Sequence, residues 1–151
     1  MKLPKSAKKV FGGIIFNTYH WEQKMYDGST ETFEMLGRRD TVQIIATNQD
    51  RIFLATEEQP SIKREFTLLG GRVDDGEEPL ECAKRELMEE AGMESSDWEL
   101  IKTYEPYNKM EWTVYLFVAR EVKKVAEQNL DPGEKIEIKE VDFEGFVDIA
   151  I

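Results

Sequence analysis

Apolar and polar positions alternate along much of this chain at the two-residue period of a half-buried strand, and one segment breaks to a helical period. Ile14 to Asn17, continued through Trp21 to Met25, reads as extended. Asp27-Gly28 marks a turn, and Ser29 to Leu36 forms the returning arm of a hairpin. Thr41 to Ala46 and Ile52 to Thr56 make a second hairpin around Asn48-Gln49-Asp50. Glu57 to Arg64, interrupted by Pro60, is expected to be a polar connection. Phe66 to Leu69 then forms a short strand ending on Gly70-Gly71. Pro79 suits the first turn of a helix, where its missing N–H costs little. Leu80, Ala83 and Leu87 follow on one face, and Gly92 supplies the stop. Trp98 to Tyr104, Trp112 to Ala119 and Glu137 to Phe143 are further strands, with the turn-rich loop Asn129 to Gly133 between the last two. Many strands around one central helix predict an α+β sheet sandwich. With no repeat and no linker, residues 1–151 are expected to be a single domain.

Charge and cysteine content narrow the partners. A net charge of −11 argues against a nucleic-acid backbone as partner. It leaves room for a small phosphorylated ligand, because a bound divalent cation reverses the local field. The single cysteine, Cys82, excludes an internal disulfide and fits a reducing cytosol. The basic start MKLPKSAKKVFGG leads into no long apolar run, and no run is long enough to span a bilayer. A cytoplasmic protein with no membrane partner is the expectation.

The segment GGRVDDGEEPLECAKRELMEEAGM, Gly70 to Met93, carries the chemistry. On a helix, Glu86 and Glu90 share a face, with Glu89 beside them at the i+3 position from Glu86. These carboxylates fall in the last turns, where the helix dipole disfavours them. Two carboxylates about 4 Å apart would repel by roughly 4 kcal/mol at an effective dielectric of about 20. A solvated acidic face is the ordinary outcome for such a pair. Three glutamates on one face also suit a hard cation such as Mg2+, which takes carboxylates, waters and phosphate oxygens and offsets both penalties.

Gly71, five residues, Glu77, seven residues, then Arg85-Glu86-Leu87, Met88, Glu89-Glu90, Ala91 and Gly92-Met93 resembles the Nudix hydrolase box at every defined position. The strands before and after it also look like a Nudix domain. The resemblance implies a Nudix-type mixed β-sheet with a central catalytic helix and a short C-terminal helix. It implies cleavage of the pyrophosphate in a nucleoside diphosphate linked to another group, a small-molecule derivative. Mg2+, or alternatively Mn2+, would be held by Glu86 and Glu90, with Glu89 and the carbonyl of Gly70 or Gly71 assisting, and Arg85 would orient them.

Outside the box, FEMLGRRDTVQIIA, LLGGRVDDGEEPLECAKREL and LDPGEKIEI are similar to the ADP-ribose and nucleotide-sugar pyrophosphatase branch. The resemblance implies a further catalytic glutamate from the late loop, best matched by Glu134. Pro132 stands where relatives often carry an acid, with Asp131 next to it. The branch's glutamine-aromatic-arginine element is reduced to Gln59-Pro60, with Arg64 further on, and the branch proline is matched to Pro106. ADP-ribose, hydrolysed to AMP and ribose 5-phosphate, is the first expectation. A nucleoside triphosphate pyrophosphohydrolase and a non-catalytic nucleotide-sugar-binding module are the alternatives.

Arg38-Arg39 are either phosphate contacts or a surface pair, with Arg39 and Arg64 the candidate substrate-binding cations. Tyr107 and Trp112 are either stacking residues for a base or part of a core. His20, the only histidine, is expected on a strand surface, which leaves a Ser-His-Asp or Cys-His nucleophile little support. Cys82 is expected to pack. The ending FEGFVDIAI reads as the start of an amphipathic helix. Either the chain stops short of the longer helix of its relatives, or Phe146, Val147 and Ile149 meet a partner subunit, as in a homodimer.

Overall fold

The computed structural model describes residues 2–150. Ile151, the last residue of the expected terminal helix, lies outside them. In chain order the elements are β1 (Lys8–Gly12), β2 (Asn17–Lys24), β3 (Thr30–Gly37), β4 (Thr41–Asn48), β5 (Arg51–Gln59), β6 (Ile62–Thr67) and α1 (Pro79–Ala91). There follow β7 (Met93–Glu94), β8 (Asp97–Tyr104), β9 (Met110–Glu111), β10 (Val114–Arg120), β11 (Lys123–Lys124), β12 (Lys135–Val141) and α2 (Phe143–Ala150). The fold is α+β. Its described residues fall into two compact units, one of residues up to Asp40 with Tyr104–Val114, the other of Thr41–Thr103 with Tyr115 onward.

The first unit is a four-stranded sheet in the order β1-β2-β3-β9. The hairpin expected around Asp27-Gly28 forms, with Gly28 at φ 88° and Asp27 accepting from the Ser29 N–H at 2.9 Å. His20 pairs across it with Glu34, Nε2 to Oε2 2.7 Å, in register, so it is a strand-surface residue as expected. β1 was not expected from the sequence. Its five positions are all exposed, so no burial pattern marks it.

The second unit is a six-stranded sheet in the order β12-β5-β4-β10-β8, with β6 also on β5. β5 organises it. One edge pairs antiparallel with β12 from Ile52 to Glu58. The other edge takes β4 along Arg51–Phe53 and β6 along Ala55–Gln59. The stretch Glu57 to Arg64 is therefore not a polar connection. It is the end of β5, a turn at Pro60-Ser61 and the start of β6. Its polarity reflects an exposed hairpin, since β6 buries none of its residues and offers no apolar alternation to read. Past β6 the chain turns onto β4, where Leu69 bridges to Ile44 and Arg72 to Thr41.

α1 forms as its sequence pattern predicts. Cys82, Ala83, Leu87 and Ala91 are buried on one stripe and pack with Val42, Ile44, Leu69, Phe117 and Val122. The helix closes on Gly92, left-handed at φ 61°, whose N–H donates to Met88 O at 2.8 Å. α2 lies on β5 and β12 with Phe146 and Val147 half-buried, while Phe143 is exposed. The last expected strand ends at Val141, because Asp142 accepts from the Gly145 N–H at 2.8 Å and turns the chain into α2.

A Cβ on Gly92 would lie 2.0 Å from the Ala126 carbonyl oxygen as well as in the left-handed region. Gly92→Ala should thus destabilise by more than the usual ~1–2 kcal/mol of the conformational penalty alone. Urea unfolding followed by circular dichroism measures it; a loss below about 0.5 kcal/mol would contradict the packing described.

Candidate active site

The site is built in the second unit by α1 and the Gly70–Glu77 segment that leads into it. Arg85 stands at its centre. Its Nε donates to Glu77 Oε1 at 2.9 Å and its Nη2 to Glu77 Oε2 at 3.0 Å, a bidentate pair. Its Nη1 donates to Glu86 Oε1 at 2.8 Å and Glu89 Oε2 at 2.9 Å. Nη2 also donates to the Arg72 carbonyl at 3.2 Å. Glu77 in turn accepts from the Asp74 N–H at 3.0 Å, tying the loop to the helix. The Arg85 guanidinium holds the Glu77 carboxyl far down, at about 2, and is itself held charged.

Gly70 and Gly71 lie against the carboxylate face. The Gly70 N–H donates to Glu90 Oε2 at 2.8 Å. At φ 136°, Gly70 takes a backbone shape that a side chain resists, and a Cβ there would sit 2.2 Å from the Val42 carbonyl oxygen. A Cβ on Gly71 would lie 2.4 Å from Glu86 Oε1, so only glycine leaves room for that carboxylate. Glycine at both positions follows from close approach.

Burial separates the carboxylates. It raises Glu90 to about 8, helped by Glu86, Glu134 and Glu57 and opposed by the Gly70 N–H. Burial also raises Glu86, against the pull of Arg85. Glu134 is raised by burial, then by Asp131 and Glu57. The Cys82 thiol, fully buried, is pushed up to about 12 by burial and by Glu77 and Glu86, and it is a packing residue.

These donors fit a hard divalent cation. They are all oxygen, and two of them, Glu86 and Glu90, are half-buried, where loss of water disfavours their negative charge. Among the described residues, no three acidic, histidine or cysteine side chains stand together as a ready cage. Glu86 and Glu89 are turned onto Arg85, and Glu90 onto the Gly70 N–H.

The other expected site residues are carried by other elements. Glu134 lies just before β12, half-buried, its N–H donating to Asp131 O at 2.9 Å. Arg64 on β6 bonds both oxygens of Glu57 at 2.9 Å. Arg39 and Tyr107 belong to the first unit. Tyr107, 61% exposed, stacks on Trp112 at 6.1 Å, and the Arg38 guanidinium lies 4.3 Å over the Trp112 ring. Sequence reading missed Glu57. Its proximity to Glu90 and Glu134 arises from the β5–β12 pairing, and the only local hint was a run of two glutamates before Gln59.

A helix that carries Arg85 and three glutamates, with Glu86 and Glu90 set against a glycine pair within an α+β sheet fold, points to the class of Nudix hydrolases. The NUDIX domain family model matches residues 37–149, and the chain belongs to that family as a Nudix pyrophosphatase. Enzymes of this family generally need a divalent metal. The chain is 26% identical over 143 residues to the ADP-ribose pyrophosphatase of Bacillus subtilis (strain 168), covering 92% of this chain and 77% of that protein. It is 25% identical over 139 residues to the methanol dehydrogenase activator of Bacillus methanolicus, covering 89% and 75%. A solved ADP compounds hydrolase shares the fold, with a TM-score of 0.79 and 20% identity over 97% of this chain and 80% of that one.

The opposite shifts of Glu77 and Glu90 make opposite predictions for the metal-free protein. Glu90 titrates near 8 when folded against 4.5 unfolded. Its favourable contribution is complete below pH 4.5 and is lost as pH rises through 8. Glu90→Gln should therefore raise Tm relative to wild type more at pH 8.5 than at about pH 4.5. Glu77, at about 2, contributes fully above pH 4.5 and loses that contribution as pH falls toward 2. Glu77→Gln should be destabilising at pH 7, with the gap closing in acid. Calorimetric Tm profiles of both variants in a chelator check the signs.

Proposed function

We propose that this enzyme hydrolyses the pyrophosphate bond of ADP-ribose, giving AMP and ribose 5-phosphate. The observation that carries this reading is the half-buried glutamate face of α1, with Glu86 and Glu89 held by Arg85 and Glu90 by the Gly70 N–H. The likeness to an ADP-ribose pyrophosphatase over 92% of the chain supports the choice of substrate.

Glu86, Glu89 and Glu90, with the Gly70 carbonyl, would hold Mg2+ or Mn2+. When bound, the cation supplies positive charge for the phosphates and lowers the pKa of water. Arg85 fixes which way Glu86 and Glu89 point and prevents the acidic face from splaying into solvent. Glu134 takes the proton of the attacking water, its raised pKa bringing it closer to that task. Glu89 and Asp131 are the other carboxylates available for it. The net charge of −11 supports a reading without a nucleic-acid partner. We also take the enzyme to be cytoplasmic and homodimeric, consistent with a lone cysteine and with exposed Val10, Phe11, Ile14 and Ile15 on the first unit.

A panel of ADP-ribose, nucleotide sugars, dinucleotides and nucleoside triphosphates with Mg2+ or Mn2+ tests the reading. ADP-ribose should give the highest kcat/KM. Preference for a triphosphate would replace the substrate, and binding without any hydrolysis would replace catalysis by ligand sensing. Glu86→Gln and Glu90→Gln should each lower kcat at least about a hundredfold while the fold survives. Near wild-type turnover by either at saturating metal would remove the helix face from the site. Glu134→Gln should lower kcat with little change in KM. Asp131→Asn made beside it tests whether Asp131 does that work, and full activity in both variants would move the base to Glu89.

A further inference from the structure

Gln59 stands between two glutamates. Its Nε2 donates to Glu57 Oε1 at 2.6 Å and reaches Glu134 Oε1 at 3.5 Å. The second bond is long, but the backbone brings the same pair together independently. β5 and β12 pair antiparallel up to Glu58↔Lys135, so one step further along the ladder Gln59 comes abreast of Glu134. Both line an open recess of about 470 Å³ with Pro60, Asp131, Pro132 and Gly133. The β5–β6 turn and the 131–134 loop thus face one another across it.

Glu57 is itself fixed. Arg64 bonds both its oxygens at 2.9 Å, and its side chain is 16% exposed. Arg64 comes opposite Glu57 because the β5–β6 turn pairs Gln59 with Ile62 and Glu58 with Lys63; beyond that pair β6 bulges opposite the Ala55–Glu57 step of β5, where Phe66 adopts φ 56°. A bulky residue in the left-handed region is strained, and bulges re-aim side chains next to sites. The β5–β6 hairpin thereby supplies a cation that holds Glu57 in place, while Glu57 still adds its repulsion to Glu90 and Glu134.

The amide orientation is chemically fixed. Ionised carboxylates only accept, so the nitrogen of Gln59 must face both of them. A neutral donor suits this place. It aligns a carboxylate without the large fall in basicity that a lysine or arginine would bring. We propose that Gln59, anchored by the Arg64–Glu57 pair, is a positioning residue for Glu134, holding one oxygen of its carboxylate and with it the 131–134 loop. The inference rests on the reading that Glu134 acts in turnover. It adds the group through which the sheet controls that glutamate.

The test combines kinetics with amide hydrogen exchange. With ADP-ribose and Mg2+, Gln59→Ala should lower kcat roughly tenfold and leave KM within about twofold, as expected for a misplaced catalytic group. Gln59→Glu, nearly the same shape, should do no better, because it replaces the donor with a like charge. In a Glu134→Gln background Gln59→Ala should cause no further loss, since both changes break one device. Without substrate, Gln59→Ala should speed exchange of the Gly133 and Glu134 amides. Multiplicative losses in the double variant, wild-type turnover by Gln59→Glu, or unchanged exchange would each overturn the proposal while leaving Glu134 catalytic. Full turnover by Glu134→Gln alone would overturn the role of Glu134 and the proposal with it. If ADP-ribose is not cleaved at all, faster exchange would still show Gln59 holding the loop, and the failure would belong to the substrate.

Discussion

Everything in the carboxylate site depends on one guanidinium. Arg85 spends all five N–H donors on Glu77, Glu86, Glu89 and the Arg72 carbonyl. Lysine could not replace it, since a single ammonium has no planar fork to bind Glu77 with two parallel bonds while holding two helix carboxylates. The same contacts join the loop to the helix. Glu77 lies ahead of α1 and Arg85 within it, so the box behaves as one folded object rather than a loop followed by a helix. Side chains here are only partly exposed, 31% for Arg85 and 17% for Glu77, where such a network is less screened than on an open surface.

The acidic end of α1 is stabilised from outside the helix as well. No basic residue lies in its last turn. Instead Lys124 on β11 donates its Nζ to the Ala91 carbonyl at 2.9 Å, and the Asn129 N–H donates to Glu89 O at 2.8 Å. Gln128 donates to the Glu90 carbonyl. These groups supply the positive charge and the donors that the sequence withholds from the helix itself. The acidic face can then be kept for a ligand. Part of the penalty inferred from the helix sequence is removed by strand β11 and the segment after it, and only the remainder calls for a cation.

β5 gives the site its second side. Its pairing with β12 brings the 131–134 loop to the β5–β6 turn, and its pairing with β6 sends the chain back along β4 to Gly70. The loop glutamate and the glycine pair are more than 60 residues apart in sequence, yet both are positioned from the same strand. A loop set directly against a sheet ladder is steadier than one hung between free ends, which suits a group that must meet an attacking water.

The sequence by itself determined the elements whose signal is local. The stripe Leu80, Ala83 and Leu87, with Pro79 and Gly92 at its ends, marks α1 because helical period and caps are written in neighbouring residues. The spacing from Gly71 to Gly92 carries the chemistry for the same reason, since one helix face and one preceding loop hold most of its groups. Tertiary structure alone decided the rest. Glu57, Gln59 and Arg64 look like polar connection in a one-dimensional reading, and only the pairing of β5 with β6 and β12 makes them a cluster beside Glu134. The raised pKa of Glu90 likewise comes from burial and from carboxylates on other elements, neither of which has a local spelling. Register and desolvation join distant residues, so no window of the chain contains them.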